Sequence, residues 1–375
     1  MKRVLVLVLL GSALTLSIVV YRHVAARRPL ASGMDARQLA MFIENAGGMV
    51  EGWNDPLGCG SVRLGKNWKR NGGDISSLAA LGDVGELLID CAECGDEELR
   101  DAAALPQLKS LILAKGRFSS VGLRELQKAP DLRVLSISGS ALGSVDFEVF
   151  EGFDLHSLRV EGVNDVVLRQ LAPLASQKQL IVLEIVNSAI REPSVIDFRS
   201  ISQLRFLNLG NTRFSDSTLH KSAHLPSVKA VNLSGTTISD SAIGFIESLP
   251  ELRTLICNDV ELSEGDLRRL LELEQLQSLQ INGSQFDSVH VPLLSHMKSL
   301  RSLSVCRTPV NIDAFEDAQL PANLTTVQCG LGDTLVFDSS WIHNEGYGRV
   351  LMMRKSRLFL RGESGFSLRS TGPLF

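Results

Sequence analysis

The chain has 375 residues, 44% apolar and 21% charged, a balance near the soluble globular average that can fill a core. Aromatic residues make up only 5%, so the interior has to be built from Leu, Ile and Val, which suits a narrow core better than one bulky centre. The formal charge of −4 is unevenly spread: residues 1–28 carry Lys2, Arg3, Arg22, Arg27 and Arg28 and no acid, +5, which leaves −9 on the remainder. Nucleic-acid affinity comes largely from Lys and Arg neutralising phosphates, so an acidic body excludes nucleic acid as an expected partner.

The first element is the run from Val4 to Tyr21, which holds no charge. As a helix rising 1.5 Å per residue it spans about 27 Å, the thickness of a bilayer core. Residues 1–28 therefore read as a signal-anchor with a transmembrane helix over about 4–21. The alternative is a cleaved leader, with Val24-Ala25-Ala26 at the cut, which would release a secreted soluble binder. The length of the apolar run and the charged Tyr21-Arg22-His23 stretch favour the anchor. Basic residues flank both ends; the short N-terminal flank favours a cytoplasmic N-terminus, with the rest exported to the periplasmic or extracellular side.

Residues 29–80 read as a linker and N-terminal cap. Residues 35–49 have the pattern of an amphipathic helix ended by Gly47-Gly48, followed by a strand-like Met49 to Trp53 and an irregular stretch, residues 54–80, with a degenerate ring around Val62 and Leu64. From Val84 the motif LxxLxL then recurs, starting at Val84, Leu108, Leu132, Leu155, Leu180, Leu204, Val228, Leu252, Leu276, Leu300 and Leu324. Eight of the ten steps are 24 residues; the other two, 23 and 25, flank the ring at Leu155.

One ring shows what the period encodes. Val231 and Leu233 alternate with Ala230, Asn232 and Ser234, the signature of a half-buried strand. Thr236 follows, and other rings place Ser140, Ser188, Thr212, Ser284 and Thr308 there, hydroxyls that can bond backbone groups as the chain leaves the strand. Ser239-Asp240 opens a short helix, Ile243 and Ile246 form its buried stripe, and Pro250 ends it; Ser263 with Asp266 repeats the opening as a near capping box.

The pattern resembles the 24-residue leucine-rich repeats common in bacterial envelope-associated proteins. That resemblance covers about two-thirds of the chain, residues 81–329. It implies an α/β leucine-rich-repeat solenoid of about 11 repeats, with a parallel sheet on the concave face and short helices on the convex one. It also implies partner binding on the concave sheet and brings no catalytic residues. Residues 330–375 read as a C-terminal cap and tail, with strand-like runs at Arg349 to Met353 and Arg357 to Arg361; a metal or enzymatic function in these last 45 residues is the rival reading.

The motifs that might carry chemistry have plainer explanations. Cys91-Ala-Glu-Cys94 admits a disulfide or half a zinc site, but the register puts Cys94 in the core and Cys91 in the turn after a strand, and no second ligand pair accompanies them. Cys257 and Cys329 take the inward place of Leu233. His220 and His224 have a helical spacing that serves a solvated face equally well. Residues Arg354-Lys355-Ser356-Arg357 fit a solvated strand edge, and the sequons at Asn232, Asn282 and Asn323 read as coincidental. No P-loop, HExxH, GxSxG or GxGxxG occurs. No catalytic residue, metal or cofactor is therefore expected, and the chain is not read as an enzyme.

The outward central column of the concave sheet should run Leu88, Ile112, Ser136, Arg159, Glu184, Asn208, Asn232, Ile256, Gln280, Ser304, Gln328. Its middle stands out: Arg159 and Glu184 fall on neighbouring strands, with Asn208 next in line and Val182, Val186 and Phe206 beside them. An exposed aromatic next to a charge pair is what protein interfaces enrich. Arg159, Val182, Glu184, Phe206 and Asn208 are thus the candidate residues for docking a protein partner.

Overall fold

The computed structural model describes residues 34–369, apart from residues 53–59, 142–146, 163–173, 175–178, 189–200, 214–224, 239, 317, 331–332, 338–349, 355–356 and 363–364; from residue 330 on it describes backbone only. The apolar run 4–21, the histidines at 220 and 224 and the N-cap position Ser239 lie outside these residues. Among the described residues no helix is long and apolar enough to cross a membrane.

Helix α1 (Ala36–Asn45) opens on a capping box: the Asp35 carboxylate accepts the Gln38 N–H at 2.8 Å, and the Gln38 side chain accepts that of Asp35 at 3.0 Å. Its Leu39, Ala40 and Ile43 are buried. Gly47, at φ 81°, turns the chain into β1 (Met49–Glu51), which pairs antiparallel with β2 (Ser61–Leu64). One edge of the solenoid is closed in this way.

From β2 onward, successive strands pair in parallel: β3 (Glu86–Gly95), β4 (Ser110–Arg117), β5 (Val134–Ser138), β6 (Ser157–Glu161), β7 (Val182–Val186), β8 (Phe206–Asn208), β9 (Ala230–Asn232), β10 (Thr254–Ile256), β11 (Ser278–Gln280), β12 (Ser302–Cys306) and β13 (Thr326–Gly330). Equal ring lengths bring equal positions together: Leu207, Val231, Leu255 and Leu279 lie side by side, each fully buried. The uneven rings change nothing in the sheet. Val134 still faces Ser157, and Ser157 still faces Val182, so the missing and extra residues fall outside the strands.

The returns to the next strand are short helices. Some rings use helices, α2 (Asp96–Ala103), α3 (Ser120–Glu125), α4 (Asp240–Glu247) and α5 (Glu264–Leu271), and others tight helical turns such as Val291–His296 and Ile312–Phe315. α4 buries Ile243 and Ile246, as its spacing requires. α5 carries a full capping box: Ser263 Oγ accepts the Asp266 N–H at 3.1 Å, and the Asp266 carboxylate accepts the Ser263 N–H at 3.1 Å. Behind it, the buried His290 ring lies between the carboxylates of Asp287 and Glu264, 2.7 Å from each, and ties one ring to the next.

The post-strand hydroxyls do bond the backbone. Thr212 donates to the Ile185 carbonyl at 2.9 Å, Thr236 to Leu233 at 2.6 Å and Thr308 to Val305 at 2.7 Å. A second recurring feature is conformational. Gly162, Asn187, Asn211, Gly235, Asp259, Gly283 and Arg307, one per ring, all adopt a left-handed backbone with φ between 53° and 70°. Two of the glycines are needed twice over: a Cβ on Gly235 would lie 2.0 Å from the Asn211 side-chain oxygen, and one on Gly283 2.5 Å from that of Asp259.

Two details differ from the sequence reading. Cys91 is not in a turn: β3 continues through it, with its register against β4 shifted around Asp90, and Cys91 is buried beside Cys94. Both are free thiols. After β13 the sheet changes direction, because β14 (Asp333–Phe337), β15 (Val350–Arg354), β16 (Arg357–Gly362) and β17 (Gly365–Arg369) follow in antiparallel order. Only residues 331–332 separate β13 from β14, too few for a parallel crossover, so β14 doubles back.

Candidate functional site

The concave face is set by the alternation within each strand. In β8, β9, β10 and β11 the central residue is buried and its two neighbours are half-exposed. The strand pairings place Leu88, Ile112, Ser136, Arg159, Glu184, Asn208, Asn232, Ile256, Gln280, Ser304 and Gln328 in one outward column, as the period requires. Val182 and Phe206 are partners in the adjacent column.

In the middle of that face, Arg159 Nη1 donates to Glu184 Oε2 at 2.9 Å, and Asn208 Nδ2 donates to the same oxygen at 2.7 Å. The network is wider than the sequence suggested. Arg159 Nη2 also donates to Glu161 Oε2 at 3.2 Å, and Asn187 Nδ2 donates to Glu161 Oε1 at 2.7 Å. Glu161 was findable, since two residues along a strand return to the same face. Asn187 was not: it reaches Glu161 from the left-handed turn position. Four side chains on three strands, with Asn187 at their edge, thus hold one another in fixed rotamers.

The apolar part of the patch is smaller than expected. Val186 is buried, 5% exposed, and drops out of the surface. Phe206 and Val182 are half-buried rather than exposed, because side chains one strand apart on a concave sheet shade one another. A similar grouping lies nearer the N-terminal edge and was not foreseen: Asp90 pairs with Arg63 at 3.0 Å and with Lys115 at 2.9 Å, beside the half-exposed Leu88 and Ile112. Burial works against the Asp90 charge, but the hydrogen bonds from Lys115 and Arg63 prevail and hold its carboxyl below the usual range.

Among the described residues no group of three His, Cys, Asp or Glu side chains converges to hold a metal ion. Burial, with a hydrogen bond to Cys91 adding to it, pushes the Cys94 thiol up, away from the thiolate that metal binding and redox chemistry need.

No protein-family model matches the chain, and no curated protein matches it. Its fold is similar to several solved structures. An internalin, inlF of Listeria monocytogenes, shares 21% identity at a TM-score of 0.46 over 66% of this chain and 70% of that one. The TLR13–ssRNA13 complex gives 15% and 0.49 over 72% of this chain and 46% of that one, and the mouse RP105/MD-1 complex 18% and 0.43 over 63% and 44%. The chain spans under half the length of the latter two. At such identities and scores these likenesses carry no weight for function. What decides the fold is the 24-residue period laid strand on strand in constant register. The chain has a leucine-rich-repeat fold.

The leucine-rich-repeat architecture explains why the concave sheet is the face to consider. Core positions are consumed by stacking, and the convex returns are occupied by caps such as that of α5. On the sheet, by contrast, alternate residues face away from the core.

Proposed function

We propose that this leucine-rich-repeat protein is a non-catalytic binding or scaffolding protein that docks a protein partner on the middle of its concave sheet, and that its N-terminal segment anchors it in a membrane with the repeats exported. The observation that carries the docking site is the Arg159–Glu184–Asn208 network beside Val182 and Phe206. It offers fixed, partly desolvated polar groups next to an aromatic ring, the composition found at interface hot spots. The anchor reading is supported by the uncharged run 4–21 between basic flanks.

Crosslinking in the native membrane from a photoreactive residue at position 208 identifies the partner. With that partner in hand, Phe206→Ala should lower affinity by ~1–3 kcal/mol while the melting profile stays near wild type. Unchanged affinity removes the patch. Carbonate-washed membranes should retain the full chain; recovery in the soluble exported fraction, with a new N-terminus by mass spectrometry, would establish the cleaved-leader alternative.

A further inference from the structure

The edge of the sheet where the chain runs into each strand has a chemistry that the concave patch does not use. Arg205, Lys229, Arg253, Gln277 and Arg301 immediately precede β8 to β12. From Lys229 on, the N–H of each donates to the carbonyl of the one before it at 2.8 Å. The five therefore stand in single file, one ring apart, at the ~4.8 Å strand spacing. These bonds are made by the main chain, so any residue type would build the ladder. The fold does not ask for basic side chains here.

Arg205, Lys229 and Arg301 are exposed and make no ion pair among the described residues. Arg253 lies 3.6 Å from Glu251, and its Nη1 donates to the Leu252 carbonyl at 3.3 Å. The short segments that lead into these positions hold the acids Glu251, Glu272 and Glu274, the last two ahead of the uncharged Gln277. Lys298 Nζ holds Glu274 at 2.9 Å. The residues that open β8 to β12 carry no charge. On an acidic body this edge is thus locally positive, and its like charges on adjacent chains repel one another. Neutral hydrogen-bonding side chains flank the file, Gln203, Ser227 and Ser299 on one side and Thr254, Ser278 and Ser302 on the other. None of these six side chains makes a hydrogen bond among the described residues.

From this we infer that the edge leading into β8 to β12 binds a linear acidic polysaccharide. Its acid groups pair with Arg205, Lys229, Arg253 and Arg301, and its hydroxyls bond the flanking Ser, Thr and Gln side chains. The surface does not depend on the Arg159 patch or on the N-terminal segment. A file of cations one ring apart matches a file of anions, and an extended 1,4-linked sugar chain advances by close to one ring spacing per sugar. An acidic peptide could use the cations but would leave the hydroxyl rows idle. Single-stranded nucleic acid needs rings on which to stack its bases, and the file has only Phe206 beside it.

The test titrates an end-labelled alginate fragment, a uronate chain, with the full chain in uncharged detergent micelles and follows fluorescence anisotropy. A length of about eight sugars suffices, since Arg205 to Arg301 spans four ring steps of ~4.8 Å. Binding should saturate and weaken as salt rises. The triple variant Arg205→Gln, Lys229→Gln, Arg301→Gln should melt like wild type, because these side chains are exposed and unpaired, and should bind about tenfold more weakly or worse. The control Lys66→Gln, Arg100→Gln, Arg124→Gln removes the same charge from exposed positions elsewhere and should bind like wild type. So should Phe206→Ala, which touches only the concave patch. Polyglutamate of equal length should bind more weakly than alginate. If the triple variant melts low, Lys229→Gln alone carries the comparison. The inference is overturned by no saturable binding, by equal losses in the two triple variants, or by equal binding of neutral dextran. Polyglutamate or oligodeoxythymidine binding as tightly as alginate would also overturn it, by making the edge an acidic-peptide or nucleic-acid site.

Discussion

Replacing Val231 by Asp should disrupt the ring that contains it, whereas the same change at the next residue, Asn232, should be nearly silent. Val231 is wholly buried between Leu207 and Leu255 on the neighbouring strands. Its loss forgoes ~1.5–3 kcal/mol of apolar burial. The carboxylate that replaces it must shed its water without a counter-charge, or bind a proton, at a cost of several kcal/mol more. Together these come to about 5 kcal/mol or above, comparable to the entire stability of many domains. Stacked rings are coupled mainly to their neighbours, so the damage should centre on β8, β9 and β10 and fade with distance. At Asn232 the side chain is half-exposed, and among the described residues its one hydrogen bond, the 2.9 Å bond from the Ser234 N–H, is one a carboxylate oxygen can accept equally well. The change there should fall within about 0.5 kcal/mol. Urea titration followed by circular dichroism gives the two stabilities, and hydrogen exchange of the Leu207, Val231 and Leu255 amides locates the loss. A larger loss from Asn232→Asp than from Val231→Asp would shift the strand phase by one residue and invalidate the concave face assigned here.

Three further outcomes follow from local geometry. Ser263→Ala removes the capping box of α5 and should cost ~1 kcal/mol, with faster exchange at the Asp266 amide. Gly283→Ala should cost ~1–2 kcal/mol, because its φ of 70° disfavours a side chain and Asp259 occupies the space. Gly244→Ala, in α4 with nothing within 4 Å of the new methyl, should instead stabilise by ~0.5–1 kcal/mol; equal effects at the two glycines in thermal melts would contradict the turn geometry. The buried Cys94 and Cys257 thiols, pushed up by burial, should resist iodoacetamide near neutral pH until the chain is unfolded, with Cys306 reacting first among the described cysteines.

The Arg159–Glu184 pair illustrates how far the period reaches. That the two residues would be neighbours was legible in the sequence, since a strand residue of one ring must meet its counterpart in the next. That a charge swap between them is not neutral was not legible. Glu161 also binds Arg159, so Glu at 159 would face a second carboxylate. The swap exchanges one attraction for a repulsion, which only the packed side chains reveal.

By itself the sequence determined everything that rests on a repeating one-dimensional pattern: the strand phase, the inward set such as Leu207, Val231 and Leu255, the helix stripe of Ile243 and Ile246, and the outward column from Leu88 to Gln328. A solenoid makes this possible because each ring contacts chiefly its neighbours, so spacing along the chain converts directly into spacing in three dimensions. Only the tertiary structure decided the rest. The burial of Val186, the half-burial of Phe206 and the reach of Asn187 to Glu161 depend on side chains shading and meeting one another across rings. Six of the seven left-handed turn positions are Gly, Asn or Asp, the types that tolerate a positive φ, so the period could have signalled that turn; Arg307 alone gave no sign of it. The turn of the last strands to antiparallel order came from the same source, since a strand's direction is set by the connection that precedes it.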